Sequence, residues 1–169
     1  MAIRKIRSFV GISILAACSL LLAVLVCVPV QACFGPKLFV GVGQGDHNEV
    51  LYSLVSLYVE EKTGVESTRV DIAEGQNPLQ LLTDEKADLV FIPSMDSADN
   101  SVLQISGLPF LVTGRRPMEE LQFTTVLPAI RKLNRLLEPE DVESLLSRVS
   151  SGESPMAASR KFLMERRWI

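Results

Sequence analysis

The chain has 169 residues, 17 of them basic and 20 acidic, and a formal net charge of −3. Three of the basic residues lie within the first seven positions, so the sequence after residue 33 carries 14 basic against 20 acidic residues. This acidic balance disfavours a nucleic-acid partner. About 135 residues remain after the N-terminal segment, which is the size of one domain rather than two.

The N-terminal segment predicts export. A basic start is followed by an apolar run over residues 9–30 and by Val30-Gln31-Ala32 just before Cys33, the pattern of a signal peptide covering residues 1–33. The apolar run is about 20 residues long, close to the length that spans a bilayer, so an uncleaved N-terminal anchor is the alternative. Either outcome predicts a periplasmic or membrane-anchored protein.

Cys33 is a candidate lipidation site. Val30 to Cys33 resembles a bacterial lipobox, in which the cysteine becomes the lipid-modified first residue. The other two cysteines, Cys18 and Cys27, lie inside the apolar run. Cys33 would thus be the only cysteine of a cleaved chain, which excludes an intramolecular disulfide and a cysteine metal site.

The first elements after this segment are a strand, a glycine-containing loop and a helix. Residues 37–42 (KLFVGV) are short, apolar and β-rich. A helix is predicted over about residues 48–63, with one apolar face formed by Leu51, Leu54, Val55 and Tyr58. Asp46 or Asn48 is expected to cap its start, and Gly64 its end.

A second strand, a short helix and a third strand follow. Residues 67–73 alternate like a strand, Asn77-Pro78 supplies an N-cap and a first-turn proline, and residues 79–86 form the expected helix. Residues 87–93 (ADLVFIP) have the continuous apolar character of a strand buried on both faces. A β-α-β-α-β order with short connections predicts a parallel sheet with right-handed crossovers, covered by helices.

The remainder predicts strand pieces and then helices. Residues 102–113 suggest one or two short strands of a mixed edge, interrupted at Gly107 and Pro109. From residue 115 onward the pattern is helical, with prolines at expected helix starts: Pro117, Pro128, Pro139 and Pro155. The expected organisation is a three-layer α/β lobe over residues 34–114, with helices of residues 115–169 packing on the same lobe.

Glycines 41, 43 and 45 do not predict a nucleotide site. Their spacing is G-x-G-x-G rather than G-x-G-x-x-G, and no Gly-Lys-Ser/Thr follows. A tight turn at a helix start explains them. No cofactor is expected.

Polar residues at the carboxyl edge of the predicted sheet form the candidate ligand site. Ligands of open α/β folds bind at this edge, near helix N-termini. The alternative role of these residues is ordinary capping and turn formation. The candidates are Gln44, Gly45, Asp46, His47, Gln76, Asn77 and Ser94.

Catalysis and metal binding are not expected. His47 is the only histidine, which excludes a site built from several histidines, and a Ser-His-Asp hydrolase would need it as the base. No G-x-S-x-G elbow is present. Acidic pairs such as Glu60-Glu61 and Glu140-Asp141 are expected on helix surfaces or in first turns. A small envelope hydrolase is the third hypothesis, after a binding protein and an interaction module.

Two long strings resemble the substrate-binding component of glycine betaine/proline/choline ABC importers. KLFVGVGQGDHNEVLYSLVSLYVEEKTG and ADLVFIP are similar to the family's opening strand, ligand loop, first helix and third strand. VLPAIRKLNRLLEPEDVESLLSRVSSGESPMAASRKFLMERRWI is similar to its closing helices, including the pattern of Pro155, Ala158, Phe162 and Leu163. The resemblance covers most of residues 37–97 and 106–169.

The resemblance implies one lobe of a type-2 periplasmic binding protein. The polar stretch of residues 94–101 stands where the family has its second lobe. The family places aromatic residues after the first and third strands, but this sequence has Gly43-Gln44 and Ser94-Met95 at those positions. The implied function is non-enzymatic binding of a small polar or quaternary-ammonium solute for an ABC permease. The alternative is a degenerate single-lobe interaction module that contacts another envelope membrane protein. A homodimer would supply the missing wall.

Overall fold

The structure is a computed structural model that describes residues 35–93 and 100–169. They belong to a compact unit that runs from Phe34 to Ile169. The predictions for the N-terminal segment 1–33, for Cys33 and for Ser94 lie outside the described residues. None of the helices within the described ranges has the length and apolar character needed to cross a bilayer.

Five strands form one open sheet, and helices flank it, as the α/β prediction requires. The strands are β1 (Lys37–Val42), β2 (Glu66–Asp71), β3 (Leu89–Ile92), β4 (Ser101–Leu103) and β5 (Phe110–Thr113). Their order is β2-β1-β3-β5-β4. β1 pairs in parallel with β2 and β3, whereas β5 is antiparallel to β3 and to β4.

The sheet is therefore mixed, and its antiparallel strand lies next to one edge strand. β5 lies between β3 and β4, so its antiparallel pairs occupy one end of the sheet, where a mixed edge is predicted. The connection over residues 104–109 is shorter than the dozen or so residues that a parallel crossover needs, so the chain must reverse. Gly107, at φ +78°, lies in this reversal, and the Leu108 N–H donates to the Ile105 carbonyl at 3.1 Å.

Six α-helices and one 3₁₀ turn complete the described fold. The 3₁₀ turn is Leu121–Phe123. The helices are α1 (Asp46–Thr63), α2 (Pro78–Thr83), α3 (Arg116–Glu119), α4 (Val126–Leu136), α5 (Pro139–Ser150) and α6 (Pro155–Glu165).

The two crossovers place their helices on opposite faces of the sheet. β2 and β3 lie on opposite sides of β1, so two right-handed crossovers must cover different faces. The core residues agree: α1 packs in the cluster that contains Val40 and Leu89, whereas Leu81 of α2 packs with Val90 and Ile92. The carboxyl ends of β1 and β3 thereby form a topological switch point.

α1 is buried around most of its circumference. The predicted apolar face is buried, but so are Val50, Leu57 and Val59, and even Ser53 and Ser56. The sheet lies on one side of α1, and α4, α5 and α6 pack against it from others. A helix enclosed in this way loses the one-sided pattern of a surface helix.

The ends of α1 follow backbone rules. Gly64 closes the helix as predicted, at φ +72°, and its N–H donates to the Glu60 carbonyl at 2.8 Å. The start differs from the prediction: Gly45 is the N-cap, at φ +108° and ψ +150°, a conformation that glycine accommodates. Asp46 is thus the first helical residue, and Asn48 lies within the first turn rather than capping the helix.

The predicted proline-led helix starts are present at Pro78, Pro117, Pro139 and Pro155, whereas Pro128 is the third residue of α4 rather than its start. The Asn77 side chain accepts the Leu79 N–H at 3.0 Å, which caps α2. The Ser154 side chain accepts the Ala157 N–H at 3.3 Å and caps α6. α2 ends at Thr83 rather than at residue 86, and the chain then turns through Glu85 at φ +54°.

A buried ion pair closes the sheet edge opposite the switch point. Both carboxylate oxygens of Asp88 lie 3.0 Å from Nη1 of Arg116, and the Phe39 N–H donates to Asp88 at 2.7 Å. Arg116 also donates to the Lys37 carbonyl at 3.3 Å and stacks 4.8 Å from the Phe123 ring centre. Asp88 thus ties β3 to β1 and to the chain after β5.

A second buried acidic residue lies in the first turn of α5, one of its two predicted places. Asp141, predicted on a helix surface or first turn, is 6% exposed and accepts a hydrogen bond from Arg166 near the C-terminus. It also accepts the Glu138 N–H at 3.1 Å. Asp141 therefore fixes the start of α5 and connects it to the end of α6.

Candidate functional site

A cavity of about 270 Å³ lies at the switch point, where β1 and β3 end. Residues from the chain segments on both sides of this switch point line the cavity. Open α/β sheets bind ligands at such a point. Its lining residues are Gly43, Gln44, Asn48, Ile72, Pro78, Phe91, Ile92, Pro93 and Pro109.

The cavity is mainly apolar, with two amide side chains. Ile72, Phe91 and Ile92 are each less than 10% exposed and form buried walls. Gln44 and Asn48 supply the amides, and the Asn48 Nδ2 donates to the Gln44 carbonyl at 2.9 Å. An apolar cavity with a few polar groups is the usual form of a small-molecule site, and this one is near the lower size limit.

The predicted loop residues divide between the cavity and solvent. Gln44 lines the cavity, whereas Gly45, Asp46 and His47 are exposed beside it and do not line it. The first helical hydrogen bond runs from the Glu49 N–H to the Gly45 carbonyl at 3.2 Å. Within the described ranges, no acceptor faces the N–H groups of residues 46–48.

The side chains of Gln76 and Asn77 are used in turn formation and helix capping, the alternative to ligand binding given for them above. The Gln76 side-chain oxygen accepts the Ala73 N–H at 3.1 Å, and Asn77 caps α2. Neither lines the cavity, although the adjacent Pro78 does. A ligand role for either residue stays a prediction.

Sequence reasoning missed most of the cavity walls. Phe91 belongs to the predicted third strand, which is expected to be buried on both faces. Its position near the end of this strand is the signal that could have placed it at the ligand site. Pro109 was unforeseeable, because it reaches the site only through the antiparallel pairing of Phe110 with Ile92. Asn48 was interpreted as a helix cap.

The positive charge of Arg69 is already paired. Arg69 on β2 donates to both Glu49 of α1 and Asp71. The Glu49 hydrogen bond is the main cause that raises the pKa of Arg69 above its ordinary value, with burial opposing and Asp71 adding to the rise. Arg69 is therefore committed to these carboxylates and does not offer a free positive charge to the cavity.

Comparison with models of protein families, with curated proteins and with solved structures finds no match to this chain. In the two described ranges, no group of three or more His, Cys, Asp or Glu side chains is arranged to hold a metal ion. The site is thus described by the geometry of its own residues.

Proposed function

We propose that this chain is the solute-binding component of an ABC-type import system of the cell envelope. As the sequence resemblance implies, the proposed protein is exported and non-enzymatic. It consists of a single lobe of the type-2 periplasmic-binding class. The observation that carries it is the 270 Å³ cavity at the topological switch point, lined by Gln44 and Phe91.

The walls favour a small solute with an apolar body and one polar end. Ile72, Ile92 and Pro109 remove the apolar part of such a molecule from water. The amides of Gln44 and Asn48 offer both donors and acceptors to the polar end. Small zwitterions and quaternary-ammonium compounds have this form.

Phe91 is the single aromatic residue among the lining residues. An aromatic ring attracts a quaternary ammonium group through the cation–π interaction, by about 0.5–2 kcal/mol according to exposure. One aromatic residue provides less of this attraction than a cage of several. We therefore expect dissociation constants near the millimolar range rather than the micromolar range.

A thermal-shift screen tests the proposal. The purified chain is heated with betaine, choline, proline, other amino acids and oxyanions, each in a concentration series that rises to about one hundred times the expected dissociation constant. A ligand that binds only the folded state raises its stability by about 2.7 kcal/mol at one hundred times the dissociation constant, and less below this.

The matched variants are Gln44→Ala and Gln80→Ala. Both glutamines are exposed, but only Gln44 lines the cavity. Loss of one hydrogen bond, about 1 kcal/mol, is expected to weaken binding about fivefold in Gln44→Ala, whereas Gln80→Ala should bind like the natural chain. The absence of any shift, or equal weakening by both variants, would argue against a ligand at this cavity.

The second candidate is a single-lobe interaction module without a small-molecule ligand, in contact with a permease or another envelope protein. The exposed side chains of Met118 and Leu121 favour it, since they do not line the cavity and need no solute. A negative ligand screen together with an intact fold would favour this candidate.

A further inference from the structure

Two adjoining grooves lie beside α3. The first, about 460 Å³, separates α2 from α3 and is lined on its apolar part by Leu79, Leu82, Val112 and Met118. The second, about 350 Å³, lies beside the start of α4 and is lined by Pro117, Met118, Thr124, Leu127, Pro128 and Arg131. Met118 is common to both. We call these two grooves together with Leu121 the Met118 surface.

This surface holds most of the exposed large apolar side chains of the described residues. Leu121 is 88% exposed, Met118 48% and Leu79 39%; the other two, Met156 and Met164, lie on α6. Leu121 begins the 3₁₀ turn that follows α3, so it lies close to Met118 along the chain. A clustered set of exposed apolar side chains marks an interaction site more often than scattered ones do.

We propose that a second copy of this chain binds the Met118 surface, forming a two-fold symmetric dimer. A two-fold interface must carry both halves of each contact on one subunit. The Met118 surface does, because it combines a protruding side chain, Leu121, with an unfilled groove between α2 and α3. In the proposed dimer, a two-fold axis between the two features places Leu121 of each copy in the groove of the other.

The surface carries charges of both signs. Glu85 lines the first groove and Arg131 the second, and Met118 lines both. Neither forms a salt bridge with another residue of the described ranges, whereas the nearby Arg115 is paired with Glu119 at 3.1 Å. In the proposed dimer, Glu85 of one copy pairs with Arg131 of the other, twice per dimer.

This dimer does not depend on the proposed ligand function, since none of its residues lines the switch-point cavity. The full chain is purified in a mild detergent, and its mass is measured by light scattering with the detergent contribution subtracted. We expect a dimer that dissociates on dilution. Leu121→Asp should raise the dissociation constant at least tenfold, and Met164→Asp, at an exposed methionine of α6, should leave it unchanged.

Charge reversal provides the specific test. Glu85→Lys and Arg131→Glu should each weaken the dimer severalfold, because like charges then face one another, and the double variant should restore it. Circular dichroism confirms that each variant is folded. A natural chain that is monomeric at all concentrations overturns the proposal and would leave the surface to another envelope protein. Equal effects of the Leu121 and Met164 variants, or no rescue in the double variant, overturn it as well.

Discussion

At the residue scale, Gly41, the residue before the last of β1, has the least room for a side chain among the described glycines. A Cβ atom at this position would lie 2.8 Å from Cγ1 of Val90 and 3.4 Å from Cδ1 of Ile72. Val90 is β-branched and buried, so its side chain cannot rotate away freely. Gly41→Ala is therefore expected to lower the free energy of unfolding by about 1–3 kcal/mol, measured by urea denaturation.

The control is Gly35→Ala, because no atom lies within 4 Å of a Cβ built at Gly35. This change should alter stability by less than about 0.5 kcal/mol. A double-mutant cycle with Val90→Ala should show favourable coupling, since removal of Cγ1 relieves the overlap. Full stability of Gly41→Ala would show that β1 and β3 have more freedom than these distances allow.

The Asp88–Arg116 pair gives a second residue-scale prediction. Arg116→Met keeps the packing of the aliphatic stem but leaves Asp88 buried with the Phe39 N–H as its remaining partner. Removing one member of a buried ion pair costs about 3–5 kcal/mol. We expect this loss in the free energy of unfolding near neutral pH, and no measurable loss for Arg115→Met in the exposed pair with Glu119.

The pH dependence of this loss follows from the pKa of Asp88. Burial raises this pKa above its ordinary value, and the Phe39 N–H and Arg116 only partly oppose the rise. The folded state therefore binds the proton more tightly than the unfolded state does, so stability from this group falls as pH rises through its folded pKa. Without Arg116 the pKa rises further. The difference in free energy of unfolding between the natural chain and Arg116→Met should therefore narrow as the pH falls from about 7 to about 4. A constant difference would show that the Asp88 charge is not the cause of the loss.

At the element scale, α2 packs against β3 on the second face of the sheet, and it has only six residues. A helix this short has little stability of its own and depends on its cap. Asn77→Ala removes the acceptor of the Leu79 N–H and should cost about 1 kcal/mol. Hydrogen exchange should then be faster at the amides of α2, while Asn77→Asp, which keeps an acceptor, should protect them. Equal exchange in both variants would show that packing of Leu81, rather than the cap, holds the helix.

The elements that the sequence predicted well are those determined by neighbouring residues. β1 matches over residues 37–42, and Gly64, Asn77 and Ser154 act as the caps that their residue types favour. Burial around α1 was not predictable in the same way, because its enclosure depends on helices more than 60 residues later in the chain. The antiparallel β5 and the burial of Asp141 have the same long-range origin.

The candidate site also combines features that neighbouring residues determine with features that depend on long-range contacts. Gln44 was found because loop residues after a parallel strand lie at the binding edge. Pro109, by contrast, joins the cavity through strand pairing, and no pattern near residue 109 indicates it. Asn77 was a candidate for both a cap and a ligand contact; the structure shows its side chain in the cap, and its ligand role stays a prediction.

At the scale of the whole molecule, α1 is the element on which the others converge. It contacts β1 and β2 on one side and the helices α4, α5 and α6 on others. Leu163 and Ala158 of α6 are fully buried members of the same core cluster as Leu38 and Leu54. The C-terminal helices thus complete the core, and their loss would expose the buried side chains of α1.

This arrangement predicts a single unfolding transition for the described unit. The only tryptophan, Trp168, packs edge-on against Phe162 with ring centres 5.5 Å apart, so its fluorescence reports on the end of α6. Far-UV circular dichroism reports on all helices and strands. If α6 and the sheet share one core, the two signals should change at the same urea concentration.

Leu163→Ala should lower stability by about 2–5 kcal/mol and shift both curves together, whereas Met164→Ala, at a 61% exposed position, should shift neither. A fluorescence change that precedes the change in circular dichroism would instead show that the C-terminal helices unfold as a separate unit.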